Sequence, residues 1–451
     1  MIPPKPLARA DRVSLLAHAR AFRADILSAQ PARLYRAWMA EFRTPFFRSY
    51  LMNDPDLVDL ILKQRPDDFP KSSRVAEGLR PLLGDSVFLT NGATWRRQRR
   101  IIDPAFGRGR LREAFPAMRD AAGSMVDRLK DGEIEVEEVA SRAAADVIFR
   151  TLFSIPIEDR LASGVFDAFR AYQRSSPILN LAALMPLPRW APRPHRRRTR
   201  NAARSIRSLM TDLVARRATE IAAGTAPDDL ATKIMSYPDP ETGETFSPAE
   251  MVDQVSIFFL AGHETSASAL AWATYLLATH PNAQDRVAAE AARDWDTIGI
   301  GDLADLPFTR DVFREAMRLY PPVPMMVRQT TGPENFRGRA APAGSQCVLS
   351  PWHLHRHEKL WADPDAFDPD RWSRHEGRES ARRAYIPFSA GPRVCPGAGF
   401  AMAEGVLLLA RLVDRFEIRS AGPVPVPIAH LTVRARDGIR VHLTRRPGRG
   451  P

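Results

Sequence analysis

The sequence predicts an α+β fold that is mainly α. Three observations lead there. Helical apolar spacing fills most of the chain, strand-like stretches collect near the start and in the last third, and one apolar helix over 248–280 outruns all others. Strands set apart from helices indicate segregated α and β regions rather than alternating βαβ units. The chain has 451 residues, 44% of them hydrophobic, and no internal repeat, so one large domain over 1–451 is expected.

Taken in order, a helical N-terminal segment comes first, and Thr44 to Met52 then alternates with aromatics as a strand does. Asp54 and Pro55 read as the cap and first position of a helix that stops before Pro66. Asp67 to Thr90 reads as a long irregular stretch, of a length that is usually functional. A helix begins at Thr94 (TWRRQRRIIDPAF), and helical patterns continue to about Arg174. Pro177 to Pro194 is a proline-broken apolar linker, and HRRRTR at 195–200 opens the next helix. A break at Ala223 to Asp229 precedes more helix, and then comes the long one, Pro248 to His280. Helices at Asn282 to Asp294 and Thr309 to Tyr320 come after it. Pro321 to Pro369 turns rich in Pro and Gly with short strands such as QCVLS, and Leu431 to Arg446 reads as a hairpin centred on Asp437-Gly438.

Cys347 and Cys395 are the only cysteines, so a disulfide framework is excluded and a reducing cytoplasm fits. The N-terminal segment has no run of the roughly 18 apolar residues that a span requires, and no signal core. A soluble, cytoplasmic, bacterial-type protein with no membrane span is expected. Net charge is +12, which calls for an acidic partner: nucleic acid, an anionic membrane or an acidic protein. HRRRTR lacks interleaved aromatics, so it reads as a solvated helix start and no nucleic acid is expected. His353, His355 and His357 alternate without a cysteine or carboxylate cluster to complete a zinc site, which leaves them a packing or surface role. Cys347 reads as a small core residue.

The chemistry centres on FSAGPRVCPG, Phe388 to Gly397, a tight loop running into a helix over Ala398 to Phe416. A thiolate at Cys395 would lie beside that helix's unpaired amides, a setting that draws a cysteine pKa below its free value of about 8.5. Gly391 and Gly397 let backbone approach something flat, and Phe388 can cover the sulfur. A lone cysteine is more often structural, but here Phe, Gly, Arg, Cys and Gly stand at fixed offsets. The stretch resembles the haem-binding signature of the cytochrome P450 family, FxxGxRxCxG, with every position filled. The resemblance implies Cys395 as the axial iron ligand of haem b (iron protoporphyrin IX), with O2 as co-substrate. It extends over essentially the full chain in the order and lengths of the elements.

AGHETS, Ala261 to Ser266, interrupts the long apolar helix with a carboxylate and hydroxyls that are costly to bury without purpose. Ala261 and Gly262 leave room against the helix face, and mid-helix hydroxyls can bond back to the preceding turn. Beside the cysteine loop it resembles the family's AGxET motif. That implies a hydrogen bond from Thr265 to dioxygen during activation, proton relay by Glu264, and a haem contact at Ala261. Glu315 and Arg318 share a helix face. With Arg371 in FDPDRW they resemble the family's Glu–Arg–Arg network beneath the haem. Haem propionates need cations from separate segments. Trp95 and Arg99 in a WxxxR arrangement, Arg328 and Arg393 match the family's propionate contacts.

The resemblance thus implies a monooxygenase that inserts one atom of O2 into a mostly apolar small molecule. Electrons would come from a ferredoxin or flavodoxin-type donor with its reductase, so NAD(P)H acts only through them; a monomer is expected. Arg96, Arg97, Arg100, Arg382 and Arg383 would form the acidic donor's docking surface. Segments matching substrate contacts supply Leu82, Phe88, Leu179, Phe258, Val323, Met325 and Leu431, an apolar pocket. Peroxide-driven or isomerase relatives usually lack the acid–alcohol pair kept here. A gas sensor would show no turnover with any reductase pair, and an arginine-rich nucleic-acid binder would show salt-sensitive binding.

Overall fold

Ser247 and Glu250 cap each other's backbone N–H groups, Pro248 supplies the fixed first φ, and from there a 32-residue helix runs to Thr279. Twenty-three of its residues are buried, so it forms the axis of the molecule rather than a surface helix. The computed structural model describes residues 2–44, 47–175 and 197–447.

In chain order the helices are α1 Leu15–Ala24, α2 Pro55–Asp59, α3 Ser73–Leu83, α4 Gly92–Ile102, α5 Arg108–Asp127, α6 Val136–Phe153, α7 Arg160–Ser175 and α8 Arg197–Ala222. They continue with α9 Leu230–Ser236, α10 Pro248–Thr279, α11 Pro281–Glu290, α12 Pro307–Leu319, α13 Pro351–Leu354, α14 His375–Ala384 and α15 Ala398–Arg415. The strands are β1 Met39–Arg43, β2 Arg48–Met52, β3 Gly132–Glu135, β4 Met326–Gln329, β5 Glu334–Phe336 and β6 Arg339–Ala341. The last five are β7 Gln346–Leu349, β8 Phe416–Ala421, β9 Pro427–Ala429, β10 Val433–Ala435 and β11 Arg440–Arg445.

The largest sheet has the order β1-β2-β7-β4, with β2 and β7 parallel and the other pairs antiparallel. A second sheet runs β3-β11-β8, and β5–β6 and β9–β10 form two-stranded pairs. Helices pack around α10, with Trp272 stacked on Tyr320 at 3.9 Å between ring centroids. A smaller core gathers Tyr50, Phe69, Phe336, Trp361 and Trp372 beside the sheet. This is α+β, mainly α, as the segregation of strands predicts.

Several local expectations give way. Asp67 to Thr90 is not irregular throughout, because α3 occupies its centre with Pro81 inside the helix; the proline and the shortness of the apolar face hid it. Among the described residues of the expected strand, Arg48–Met52 is strand, paired with the unforeseen β1. The Asp437-Gly438 turn joins no hairpin: β10 pairs with β9, whereas β11 lies between β8 and β3. Register of strands so short is set by distant partners, not by the turn. The histidines stand on α13 and the turn after it rather than on a strand, all buried. Burial drives His353 and His355 down to about 3 and His357 to about 4, so they pack as neutral rings. The apolar linker Pro177 to Pro194 lies outside the described residues.

Candidate active site

The cysteine loop is built by its own backbone. Cys395 N–H donates to the Phe388 carbonyl at 2.9 Å and Val394 N–H to Gly391 at 3.0 Å, folding the loop onto the start of α15. Gly391 sits at φ +66°, and a Cβ there would stand 2.0 Å from the Leu62 carbonyl oxygen, so only glycine fits. Ile386 N–H, two residues before Phe388, donates to His355 Nε2 at 2.9 Å. Arg99 on α4 donates from Nη1 to the Val394 carbonyl at 2.8 Å, and Arg393 donates to the Pro66 carbonyl at 2.6 Å. Phe388 packs half-buried against the main core.

Cys395 keeps one open face, but the protein packed around its other sides desolvates the thiol and pushes its pKa up, against the Gly397 amide and Arg99, which pull it down. The expectation of a lowered pKa is therefore corrected. Desolvation outweighs the helix terminus, so the protein by itself favours the thiol.

Four cations from four segments converge beside this loop. Arg393 lies 4.9 Å, Lys71 5.6 Å and Arg99 6.0 Å from the Trp95 ring centre. Arg328, buried on β4, bridges backbone to backbone with Lys71. Burial and the arginines Arg328, Arg393 and Arg99 drive Lys71 down to about 6, and burial with Arg393 lowers Arg328 to about 10. Lys71 Nζ is held by the carbonyls of Val87 (2.6 Å) and Thr90 (2.9 Å). Asp103 faces Arg99 at 2.7 Å and Asp67 is 3.7 Å from Arg393, but no carboxylate approaches Lys71 or Arg328 within ion-pair distance among the described residues. Arg328 and Arg393 each keep a buried Nε without a hydrogen bond. Such a cluster is unstable without an anion. Sequence reasoning found Trp95, Arg99, Arg328 and Arg393 but missed Lys71. Its only signal was chemical, a lysine in an arginine-dominated chain, and lysine can shed its proton where arginine cannot.

On α10, Leu260, His263 and Glu264 are buried while Ala261 is exposed and Gly262 and Thr265 are half-buried. The helix therefore opens one face at the expected motif. Thr265 donates its hydroxyl to the Ala261 carbonyl at 2.5 Å. Glu264 accepts from Thr432 Oγ1 at 2.6 Å, lies 3.6 Å from Arg434, and leaves its second oxygen unpaired. Gly262 does not make room on that face, contrary to expectation: a Cβ there would stand 2.3 Å from the tip of Ile148 on α6, so the glycine serves close packing of the two helices. Phe106 joins the two halves of the site, 5.7 Å from the Phe258 ring on α10 and 5.4 Å from Phe400 on α15.

The Glu–Arg–Arg network forms as expected and is buried. Arg318 donates twice to Glu315, at 2.9 and 2.8 Å, and Arg371 once at 2.9 Å. Arg318 also holds the carbonyls of His355, Pro364 and Ala366, and Arg371 that of Ala362. Burial alone would raise Glu315, but the two guanidiniums win and lower it.

The substrate candidates scatter. Leu82 is buried on α3, Val323, Met325, Phe258 and Leu431 are half-buried, Phe88 is exposed, and Leu179 lies outside the described residues. The docking arginines are also rearranged. Arg97 binds Glu250 at 2.7 Å and Arg100 grips the buried Asp239 at 2.6 and 2.8 Å, so both serve the fold. Arg96 faces Asp67 at 2.8 Å, Arg382 pairs with Glu379, and Arg383 is exposed.

The residues fit a flat, dianionic, metal-bearing group such as haem. The uncompensated cations suit two carboxylates, and Cys395 suits the metal. Gly397 has an ordinary φ of −82° and no protein atom closer than 4.0 Å to an added Cβ. Neither strain nor a protein neighbour demands glycine there, which leaves room for a flat group to approach the backbone.

Comparison with known proteins agrees. The cytochrome P450 family model matches residues 41–439. The cyclooctat-9-en-7-ol 5-monooxygenase of Streptomyces melanosporofaciens is 32% identical over 395 residues, covering 86% of this chain and 83% of that protein. Human cytochrome P450 4A11 is 31% identical over 426 residues, covering 87% of this chain and 79% of its own. The crystal structure of a cytochrome P450DA mutant heme domain superposes with a TM-score of 0.83 over 99% of this chain and 98% of that one, at 24% identity, a likeness of fold. With its signature cysteine, its cation cluster and its relatives in accord, this chain belongs to the cytochrome P450 family and is a haem-thiolate monooxygenase.

Proposed function

We propose that the chain, read as a single domain over 1–451, holds haem b and oxidises a mostly apolar small molecule. The observation that carries the cofactor assignment is the convergence of Lys71, Arg99, Arg328 and Arg393 beside the Cys395 loop with no internal anion for Lys71 or Arg328. Cys395 ligates the iron, the cations and Trp95 hold the propionates, and the Glu315–Arg318–Arg371 network keeps the underlying loops in place. Bound haem supplies the redox chemistry that activates O2.

The protein's own part is proton handling and placement. Thr265, with its proton directed at Ala261, presents lone pairs to the open face and can accept a proton there. Glu264 is tied to Thr432 on one side and has a free oxygen on the other, suited to passing protons from the Arg434 side toward Thr265. Apolar side chains at Val323, Met325, Phe258 and Leu431 support an apolar substrate. One relative fits this reading by name, the 5-monooxygenase of cyclooctat-9-en-7-ol.

Electrons arrive, in this reading, from a separate acidic carrier of the ferredoxin or flavodoxin type with its NAD(P)H-dependent reductase, acting on a cytoplasmic monomer. Among the described residues no helix is long and apolar enough to cross a membrane. Supporting the carrier's site is exposed Val394 next to Cys395, in the same loop as Arg393 and a short chain distance from Arg382 and Arg383.

The reduced, carbon-monoxide-bound protein is expected to absorb at the wavelength of thiolate ligation, and Cys395→Ser to lose both that band and turnover. A Ser variant that keeps both rejects the assignment. Thr265→Ala is expected to retain haem while most reducing equivalents go to hydrogen peroxide; unchanged product per reduced nicotinamide would remove Thr265 from proton handling.

A further inference from the structure

Glu404 lies on α15, nine positions beyond Cys395, and is 3% exposed. One of its oxygens accepts from Ser266 Oγ at 2.8 Å, and the other has no partner. Ser266 is the neighbour of Thr265 on α10. The hydroxyls of α10 divide into two sets. Ser256, Thr265, Thr274 and Thr279 bond back to their own helix at Val252, Ala261, Leu270 and Tyr275. Ser266 and Ser268 instead reach across, to Glu404 and to the Val433 carbonyl. These two bonds fix the helical register of this motif against α15, which follows the cysteine loop, and against β10.

We infer that Glu404 is a positioning residue for Thr265: its bond to Ser266 holds the α10 turn that carries Thr265 in place against α15. The inference rests on the proposed role of Thr265. A neutral carboxyl suits this place because nothing charged compensates it. Burial raises its pKa to about 8, with only the Ser266 hydroxyl acting against that. On α10, Glu264 turns to Thr432 and Arg434, and His263 to Ser141. On α12, Glu315 and Arg318 neutralise one another with Arg371. Further along α15, Arg411 and Asp414 face each other at 3.6 Å. On α5, Glu113 pairs with Arg110 and with Lys233 of α9, and Arg119 donates to the Asp296 carbonyl. From α11, Arg286 takes Asp370, and Glu290 accepts from the start of α12; on β8 Glu417 and Arg419 pair. Ionisation would thus place an unpaired charge between two packed helices, and the turn bearing Thr265 would shift.

The test uses the holoenzyme. Difference infrared spectra between about pH 6 and about pH 9.5 should show a protonated-carboxyl C=O band at the lower pH that Glu404→Gln removes. The raised pKa means the folded state keeps a proton that the unfolded state loses. This group's contribution to stability therefore falls as pH rises from about 4.5 to about 8. The Tm of Glu404→Gln relative to the parent should climb over that window and level off above it. Product per reduced nicotinamide should drop at least about twofold in the parent as pH passes about 8, and stay flat in Glu404→Gln, where the amide accepts from Ser266 without ionising. A merely structural Glu404 would move Tm and leave the coupling step in place. An absent carboxyl band, or a coupling step that persists in Glu404→Gln while Thr265→Ala is uncoupled, overturns the inference. Normal coupling in Thr265→Ala instead defeats the reading of Thr265 itself.

Discussion

The Lys71 Nζ is held by two carbonyls, while burial and three arginines oppose its charge. Without an anion that arrangement is a burden, and the haem propionates of the proposed function would turn the burden into a bond. Lys71→Met should therefore act in opposite directions. In the haem-free protein at pH 7 it should stabilise by about 1–3 kcal/mol in urea unfolding, because an unsolvated amine is removed. The sign of the pH dependence checks this. With a folded pKa near 6 against 10.5, the unfolded chain binds more protons above pH 6, so haem-free stability gains from Lys71 as pH rises and the Met variant lacks that gain. In the loaded protein the same substitution should speed haem transfer to a scavenger protein severalfold. Stabilisation in neither state, or slower haem loss, would exclude Lys71 from the site.

Among the elements, α14 meets the short helical turn Pro369–Trp372 that carries Arg371 so closely that a Cβ on Gly377 would stand 1.9 Å from the Arg371 carbonyl oxygen. The obstacle is backbone, which cannot swing aside as a side-chain tip can. Gly377→Ala should cost about 1–3 kcal/mol of stability and disturb the Arg371 bond to Glu315. The comparison is Gly243→Ala, which meets no atom within 4 Å but has φ +74° and so carries only local backbone strain. Equal Tm and equal haem retention in the two variants would show that this packing is not as tight as the distance states. At Gly262 on α10 the obstacle is the Ile148 side-chain tip of α6, which can move aside, so Gly262→Ala should cost less than Gly377→Ala.

For the molecule as a whole, burial of neutral histidines governs the response to acid. His263, His353 and His355 are driven to about 3 and His357 to about 4, each by burial. On unfolding in mild acid these four rings take up protons. Glu137 and Glu404, raised to about 7 and about 8, release theirs. Net uptake remains, so stability should rise with pH between about 4.5 and about 6 at on the order of 2–3 kcal/mol per pH unit. Tm measured across that range should show the slope; a flat profile would mean that these histidines are not buried neutral. At the surface, the +12 charge predicts a second global property. First-electron transfer from an acidic carrier should slow with ionic strength, over a Debye length of about 8 Å at physiological salt. Arg382→Glu with Arg383→Glu should slow it further, whereas indifference to both would leave this face without a role in docking.

What the sequence determined by itself lay within short windows. Apolar spacing from Pro248 onward located α10, and the offsets from Phe388 to Gly397 located the cysteine loop. Glu315, Arg318 and Arg371 were legible because two share a helix turn and the third stands in a recognisable segment. Glu404 carried the same signal as Glu264, a carboxylate inside an apolar helix, but without a motif around it. The tertiary structure alone decided the rest. It set Lys71 among arginines from three other segments, joined Ser266 to Glu404 across 138 positions, and gave β10 to β9 instead of β11. It also reversed the expected direction of the Cys395 pKa. Helix periodicity and loop turns depend on neighbours within a few residues, so they can be read along the chain. Desolvation, like-charge proximity and strand partnership depend on which distant segments meet, and no local pattern encodes them.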